Sequence, residues 1–195
     1  IEDLDTNPLE QFNVWFQIAI DAEVNEANAM AISTISEEGT PRSRYVLFKD
    51  IVDNKLVFYS DYESSKGREM ENNPNISGLF FWPELHRQIR LEGVVSKTSD
   101  EVSDNYFASR PRGAQLSAIA SSQSTEIEGR ETVEDRIKEL EIEFEGKDIP
   151  RPDNWGGYAI DISFWEFWQG RRSRTHDRFI YVKNDNSWEI TRLSP

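Results

Sequence analysis

The chain has 195 residues, with 22 Lys and Arg against 36 Asp and Glu, for a net charge of −14. That balance disfavours broad nucleic-acid or anionic-membrane surfaces, which need a dominating basic face; 37% hydrophobic and 12% aromatic content is too apolar for a disordered chain. With no cysteine, disulfides, zinc-thiolate sites and thiol nucleophiles are excluded, no apolar run reaches the ~20 residues of a membrane helix, and the opening residues lack a secretory leader pattern, so one domain over 1–195 in the cytoplasm is expected.

The first predicted element is a helix. Asn7 can cap it, Pro8 suits its first position, Glu10 stands third as in a capping box, and Leu9, Phe12, Trp15, Phe16 and Ala19 recur at helical spacing. Strands follow at 29–36, 43–49, 56–60, 76–82 and 88–97, with turns at 38–41 and 53–55 and a short polar helix near 64–72. Thr98 with Glu101 predicts a capped helix over 100–109. Thr132 with Asp135 predicts another, carrying Val133, Ile137, Leu140 and Phe144 and stopping at Gly146. After a linker at 147–154, strand signals return at 157–162, 164–168, 178–183 and 187–192. Strands, then helices, then strands imply an α+β fold, an antiparallel barrel or strongly curved sheet with helices packed outside.

The few basic residues are clustered. Arg171, Arg172, Arg174 and Arg178 share a segment with His176, and Asp177 alone opposes them. As a solvated loop this segment needs no ligand; as a site, its Arg forks suit phosphate or carboxylate oxygens. Arg110 and Arg112 follow a helix bearing Tyr106 and Phe107, where the helix dipole alone favours cations. Ser64-Ser65-Lys66-Gly67-Arg68 sits at a helix start and reads as a phosphate cradle without the Walker pattern. Arg44 and Lys49 share a strand but fall on opposite faces by parity, so they cannot serve one ligand atom unless a bulge or edge intervenes. Four basic sites in an acidic chain suggest more than one small phosphorylated ligand. Two histidines, His86 and His176, are too few for a histidine metal site, and no metal is expected.

With these residues in view, the chain resembles the pyridoxamine 5′-phosphate oxidase family over nearly its whole length. The resemblance rests on Ser43-Arg44-Tyr45-Val46-Leu47-Phe48-Lys49, Arg87-Gln88-Ile89-Arg90, Tyr106-Phe107-Ala108-Ser109-Arg110-Pro111, Gln123-Ser124, Trp155-Gly156-Gly157-Tyr158, Glu166-Phe167-Trp168-Gln169-Gly170 and Arg174-Thr175-His176-Asp177-Arg178, in that order and spacing. It implies an FMN-binding split β-barrel that forms a homodimer with FMN at the interface, a dimerisation and substrate-site region at about 150–195, and no nucleic-acid or membrane partner. The implied FMN contacts are Arg44, Tyr45, Val46, Leu47, Phe48, Lys49, Tyr59, Ser60, Ser65, Lys66, Gln88, Gln123, Ser124, Trp168 and Arg178, some donated across the dimer. Lys49, Tyr106 and Arg110 would hold the substrate phosphate, and Arg174 and His176 would lie against the pyridine ring as the catalytic pair.

The implied reaction is oxidation of pyridoxamine or pyridoxine 5′-phosphate to pyridoxal 5′-phosphate, with O2 as acceptor. Three departures stand out: the family's phosphate-site Ser is Ala114 here, Thr175 replaces a Leu, and Ser65 stands where some members carry a basic residue. The alternatives are a flavin enzyme of the same barrel acting on another heterocycle, or a non-catalytic binder of FMN or pyridoxal phosphate.

Overall fold

The computed structural model describes residues 4–185 and 187–195. Helix α1 (Pro8–Asp21) starts as its sequence dictates: the Asn7 side chain accepts the Leu9 N–H at 3.0 Å and Pro8 takes the first position. The reciprocal half of the expected capping box is filled differently, because Asp5 rather than Glu10 accepts the Asn7 N–H, at 2.8 Å. The apolar face of α1 buries Phe12, Trp15 and Ala19, and Phe12 meets Phe48 edge-on at 5.3 Å.

Six strands close the barrel: β1 (Ala29–Ile35), β2 (Pro41–Val52), β3 (Lys55–Asp61), β4 (Asn75–Trp82), β5 (Arg87–Lys97) and β6 (Trp155–Gln169). The hydrogen-bonded order is β3-β2-β1-β4-β5-β6, every pairing is antiparallel, and β6 closes the ring onto β3. A hairpin of β7 (Asp177–Asn184) and β8 (Ser187–Leu193) continues the sheet from the other half of β6. This is the antiparallel split barrel expected from the sequence. Period-two alternation drives it: β1 and β4 bury every second residue, so Met30, Ile32 and Phe80 meet Leu56, Phe58, Ile89, Leu91, Ile160 and Phe167 inside. Burying each such side chain contributes about 1.5–3 kcal/mol.

The segments at 157–162 and 164–168, expected as two strands, form one. The register slips between Glu92 and Gly93, leaving Ser163 as an extra residue, and the bulge lets β6 change partners from β3 to β7 while β5 follows it throughout. Outside the barrel lie α2 (Ser65–Asn72), α3 (Asp100–Ser109), α4 (Arg112–Ala120) and α5 (Arg130–Glu143). Phe107, Leu116, Leu140, Ile149 and Trp155 form a second, smaller core beneath α3, α4 and α5.

Three helix readings need correction. Ser99, not Thr98, caps α3; the Thr98 hydroxyl bonds to Ser103 at 2.9 Å instead. Helix α5 begins before Thr132, at Arg130 behind Gly129, with no side-chain cap and only Leu140 buried. Helix α4 escaped the sequence reading, because Arg-Gly-Ala-Gln-Leu-Ser-Ala offers few apolar anchors and buries only Gln115 and Leu116.

Candidate functional site

The first cluster gathers at the start of α2. Ser64 caps this helix through Gly67 N–H and donates to the Asp61 carbonyl at 2.7 Å. A side chain at Gly67 would put its Cβ 2.0 Å from the Tyr62 carbonyl oxygen, so glycine is required where α2 folds back on β3. Lys66 Nζ donates to Ser64 Oγ at 3.1 Å and to Gln123 Oε1 at 2.6 Å, and Ser60 donates to the same Gln123 oxygen at 3.1 Å. Burial, then the nearby Arg44 charge, pull the Lys66 pKa down to about 8, against Asp61 and Glu69. The first turn of α2 has no acidic residue, so its N–H groups and Lys66 form a positive end, with Asp61 and Glu69 the nearest carboxylates.

Arg44 reaches this cluster from β2. It bonds to Thr34 Oγ1 and, through Nη2, to Glu69 Oε2 at 2.8 Å; Arg42 binds the other Glu69 oxygen at 3.1 Å. Burial would raise the Glu69 pKa, but bonds from Thr34, Arg44 and Arg42 hold it below the ordinary carboxylate range. Lys49 goes elsewhere, as parity requires. It is the extra residue of a bulge between Phe48 and Asp50 and faces outward. Val46 and Phe48, by contrast, are 8% and 7% exposed core residues, so only their main chain is available to a ligand.

Beside the cradle, three aromatic rings stack. Tyr59 lies 3.7 Å from Tyr106 and 5.6 Å from Trp155, all near parallel. Gly157, paired with Tyr59, allows this approach; a Cβ there would meet the Tyr59 ring at 3.0 Å and Thr98 Oγ1 at 2.5 Å. Arg110 caps the stack, 4.5 Å over Trp155, and its Nη1 is buried with no hydrogen-bond partner. Burial pushes the Tyr59 phenol up to about 12 and raises Tyr106, so both are neutral donors at physiological pH. Lys49, Tyr106, Arg110 and Ala114 line one cavity of about 390 Å³; Ser60, Arg110, Ser117 and Gln123 line its neighbour of about 260 Å³. A buried guanidinium edge without a partner costs free energy unless an acceptor arrives. The Lys49–Arg110 cavity, which has no carboxylate in its lining, is therefore anion-seeking, while its neighbour also carries Asp61.

The second cluster lies at the far end of β6. Gln88, Trp168 and Arg178 stand side by side on β5, β6 and β7. His176 lies 4.6 Å from the Trp168 ring and accepts the Arg171 N–H at Nδ1, 3.1 Å away, which leaves Nε2 as the free edge. Asp177 ties Arg171 and Arg192 together. Ser173 and Arg174 are both left-handed, at φ 56° and 63°, a strain of about 1–3 kcal/mol each that marks shaped loops. Arg174 is exposed.

The predicted residues thus fall into two groups. Arg44, Lys49, Tyr59, Ser60, Ser65, Lys66, Tyr106, Arg110 and Gln123 surround the first cluster; Gln88, Trp168, Arg174, His176 and Arg178 form the second. Eleven positions of β6 separate Gly157, opposite Tyr59, from Trp168, roughly 35 Å of strand. No hydrogen bond among the described residues joins the groups. Leu47 lines the Lys49–Arg110 cavity of the first cluster, and Tyr45 belongs to neither; they are 41% and 74% exposed, beside Phe81 at 56%, on an outward apolar face. Ser124 is exposed with φ 72°. Sequence reasoning missed Thr34, Glu69 and Glu166, the buried polar groups that hold the arginines. A lone Thr in an apolar strand and a Glu one turn after Lys66 were the signals available.

Among the described residues no group of His, Asp and Glu is arranged to hold a metal, and no helix is long and apolar enough to cross a membrane. Fold and site together define an antiparallel barrel built to receive small anionic ligands. The chain belongs to the pyridoxamine 5′-phosphate oxidase family: that family's profile matches residues 16–143, and the pyridoxine 5′-phosphate oxidase C-terminal dimerisation region matches 155–195. It is 50% identical over 196 residues to the pyridoxine/pyridoxamine 5′-phosphate oxidase of Burkholderia mallei, covering 99% of this chain and 91% of that one. The protein of the same name from Cyanothece is 47% identical over 193 residues, with the same coverage. Among solved structures, PhzG from Burkholderia lata, in complex with tetrahydrophenazine-1-carboxylic acid, superposes with a TM-score of 0.94 at 30% identity, covering 100% of this chain and 95% of PhzG. A pyridoxamine 5′-phosphate oxidase-related, FMN-binding protein from Nostoc punctiforme shares the fold, with a TM-score of 0.78 at 16% identity, covering 98% of this chain and 100% of its own.

Proposed function

We propose that this protein is an FMN-dependent oxidoreductase that converts pyridoxine or pyridoxamine 5′-phosphate to pyridoxal 5′-phosphate. Oxygen is the final electron acceptor and yields H2O2; the amine also releases ammonia. The observation that carries this reading is the buried, unpartnered Nη1 of Arg110 in a cavity shared with Lys49 and Tyr106. Three donors line it with no carboxylate among the lining residues, which suits a phosphate. FMN fits the neighbouring cradle, whose Lys66, Ser65, Arg44 and Gln123 offer a second set of donors beside a helix start.

Bound FMN would supply the two-electron acceptor. The chain supplies position and charge. Lys49, Tyr106 and Arg110 hold the phosphate, and this remote binding orients the pyridine. Arg174 stabilises negative charge developing on the substrate oxygen, and His176 presents Nε2 to the ring or assists proton transfer. Because these two stand far along β6 from the phosphate cavity, we read the active unit as a homodimer in which each site takes Arg174, His176, Trp168 and Arg178 from the second copy. The exposed apolar face around Tyr45, Leu47 and Phe81 is consistent with such a partner.

An anaerobic absorbance titration of the FMN-loaded protein with pyridoxine 5′-phosphate tests the reading. It predicts bleaching of the flavin band with pyridoxal phosphate formed in step; a flavin that stays oxidised contradicts it. That result would favour the second reading, a related barrel enzyme acting on another heterocycle, which the likeness to PhzG and the loss of a hydroxyl at Ala114 keep in play.

Two further results are expected. Ala114 lines the Lys49–Arg110 cavity, whereas Ser117 lines the adjoining one, so nothing replaces the missing hydroxyl from that helix turn. Ala114→Ser should therefore lower the Michaelis constant about tenfold, a new hydrogen bond to a charged group being worth ~1.5–3 kcal/mol; an unchanged or higher constant would mean the site is rebuilt around Ala. Flavin affinity should also depend on pH. Burial and the Arg44 charge lower the Lys66 pKa to about 8, and a phosphate bound beside it would raise that value. Binding therefore takes up a proton, and affinity should fall as pH rises above about 8, while Lys66→Arg should flatten the profile. Fluorescence titrations between pH 7 and 9.5 read this directly, and a flat wild-type profile would remove Lys66 from the cradle.

A further inference from the structure

Glu166 is 4% exposed, between the core residues Trp165 and Phe167 on β6. It belongs to the opposite face, with Trp168. Its Oε1 accepts Arg178 Nε at 2.6 Å, and its Oε2 accepts Arg90 Nη2 at 2.9 Å and Nε at 3.2 Å. Burial alone would raise its pKa, but the bonds from Arg178 and Arg90 outweigh that and hold the carboxyl below the ordinary range, so it is ionised. Arg178 is thereby committed on one edge. Its Nε faces Glu166, its Nη1 turns toward the Ser194 carbonyl at 3.4 Å, and Nη2 has no acceptor among the described residues; in the sheet Arg178 pairs with Trp168, which pairs with Gln88.

We infer that Glu166 is a positioning residue for the flavin: it selects which edge of the Arg178 guanidinium is offered to an oxygen of FMN. The inference rests on the proposed reading of Arg178 as a flavin contact. Glutamine at 166 keeps one acceptor oxygen, which can serve Arg178 or Arg90 but not both, and turns an NH2 group toward the other arginine. A carboxylate that merely ties β5 to β7 would lose fold stability on that change but would not act through Arg178.

A double-mutant cycle on FMN affinity separates these roles. Apoproteins carrying Glu166→Gln, Arg178→Ala and both changes are titrated with FMN by fluorescence quenching, with melting temperatures recorded alongside. Glu166→Gln is expected to weaken FMN binding about tenfold, and the double variant should bind no more weakly than Arg178→Ala alone. Losses that multiply in the double variant, or wild-type affinity in Glu166→Gln, would overturn the positioning role. Wild-type affinity in Arg178→Ala would overturn the flavin-contact reading beneath it. Should Glu166→Gln fail to fold, Arg178→Lys serves instead. Glu166 would hold its single ammonium away from the ligand, so FMN binding should weaken about tenfold, and unchanged binding would overturn the role.

Discussion

Arg110→Ala is expected to raise the Michaelis constant for pyridoxine 5′-phosphate about a hundredfold while FMN stays bound. The side chain is held by the protein itself, stacked over Trp155 and Phe107, so little ordering entropy remains to be lost when the phosphate arrives. Its buried Nη1 has no protein partner, and the ligand supplies the missing acceptor. A charge-assisted bond of this kind is worth ~1.5–3 kcal/mol, and two from one fork reach the hundredfold range. Steady-state kinetics with a parallel flavin titration check the split. Arg110→Lys should recover only part of the loss, because an ammonium keeps the charge but not the fork. A constant within threefold of wild type would move the phosphate out of this cavity.

Arg174→Ala should leave flavin affinity unchanged and slow flavin reduction by substrate about 10²–10³-fold, the usual cost of removing one donor to developing charge. The backbone supports a shaped role: two consecutive non-glycine residues, Ser173 and Arg174, adopt left-handed conformations, and strain of that kind persists only where the surroundings impose it. Stopped-flow absorbance under anaerobic conditions measures the step. An unchanged reduction rate would confine Arg174 to substrate binding or to the surface.

Much of this was legible in the chain, for reasons that differ by element. Strands β1 and β4 alternate cleanly, and the approximate places of β1 to β5 along the chain followed from strand-like runs between turns, though not their order in the sheet; Asn7-Pro8 and Ser64 are local caps whose chemistry needs no tertiary partner. The strand spanning 155–169 was harder, because the bulge at Ser163 breaks alternation and mimics a turn. Helix α5 turns the expected stripe Val133-Ile137-Leu140-Phe144 inward, but only Leu140 is fully buried, and its other faces are polar and exposed. Among site residues, those carried by family-like motifs gathered as two coherent clusters. The carboxylates that orient them, Glu69 and Glu166, were not legible, because their partners Arg42, Arg44, Arg90 and Arg178 come together only through sheet register. Parity alone gave the opposite facing of Arg44 and Lys49, but not the bulge that leaves Lys49 unpaired between Phe48 and Asp50.

The central claim is that each site is assembled from two copies of the chain, and subunit complementation tests it most directly. Arg110→Ala and Arg174→Ala are each expected to be nearly inactive at low substrate as homodimers. Mixed by co-expression, they form heterodimers in which one site carries both substitutions and the other carries neither. Random pairing under twofold symmetry then predicts recovery of about a quarter of wild-type activity. Activity no higher than the average of the two parent variants would mean that Arg110 and Arg174 serve the same site from one chain, and would contradict the account.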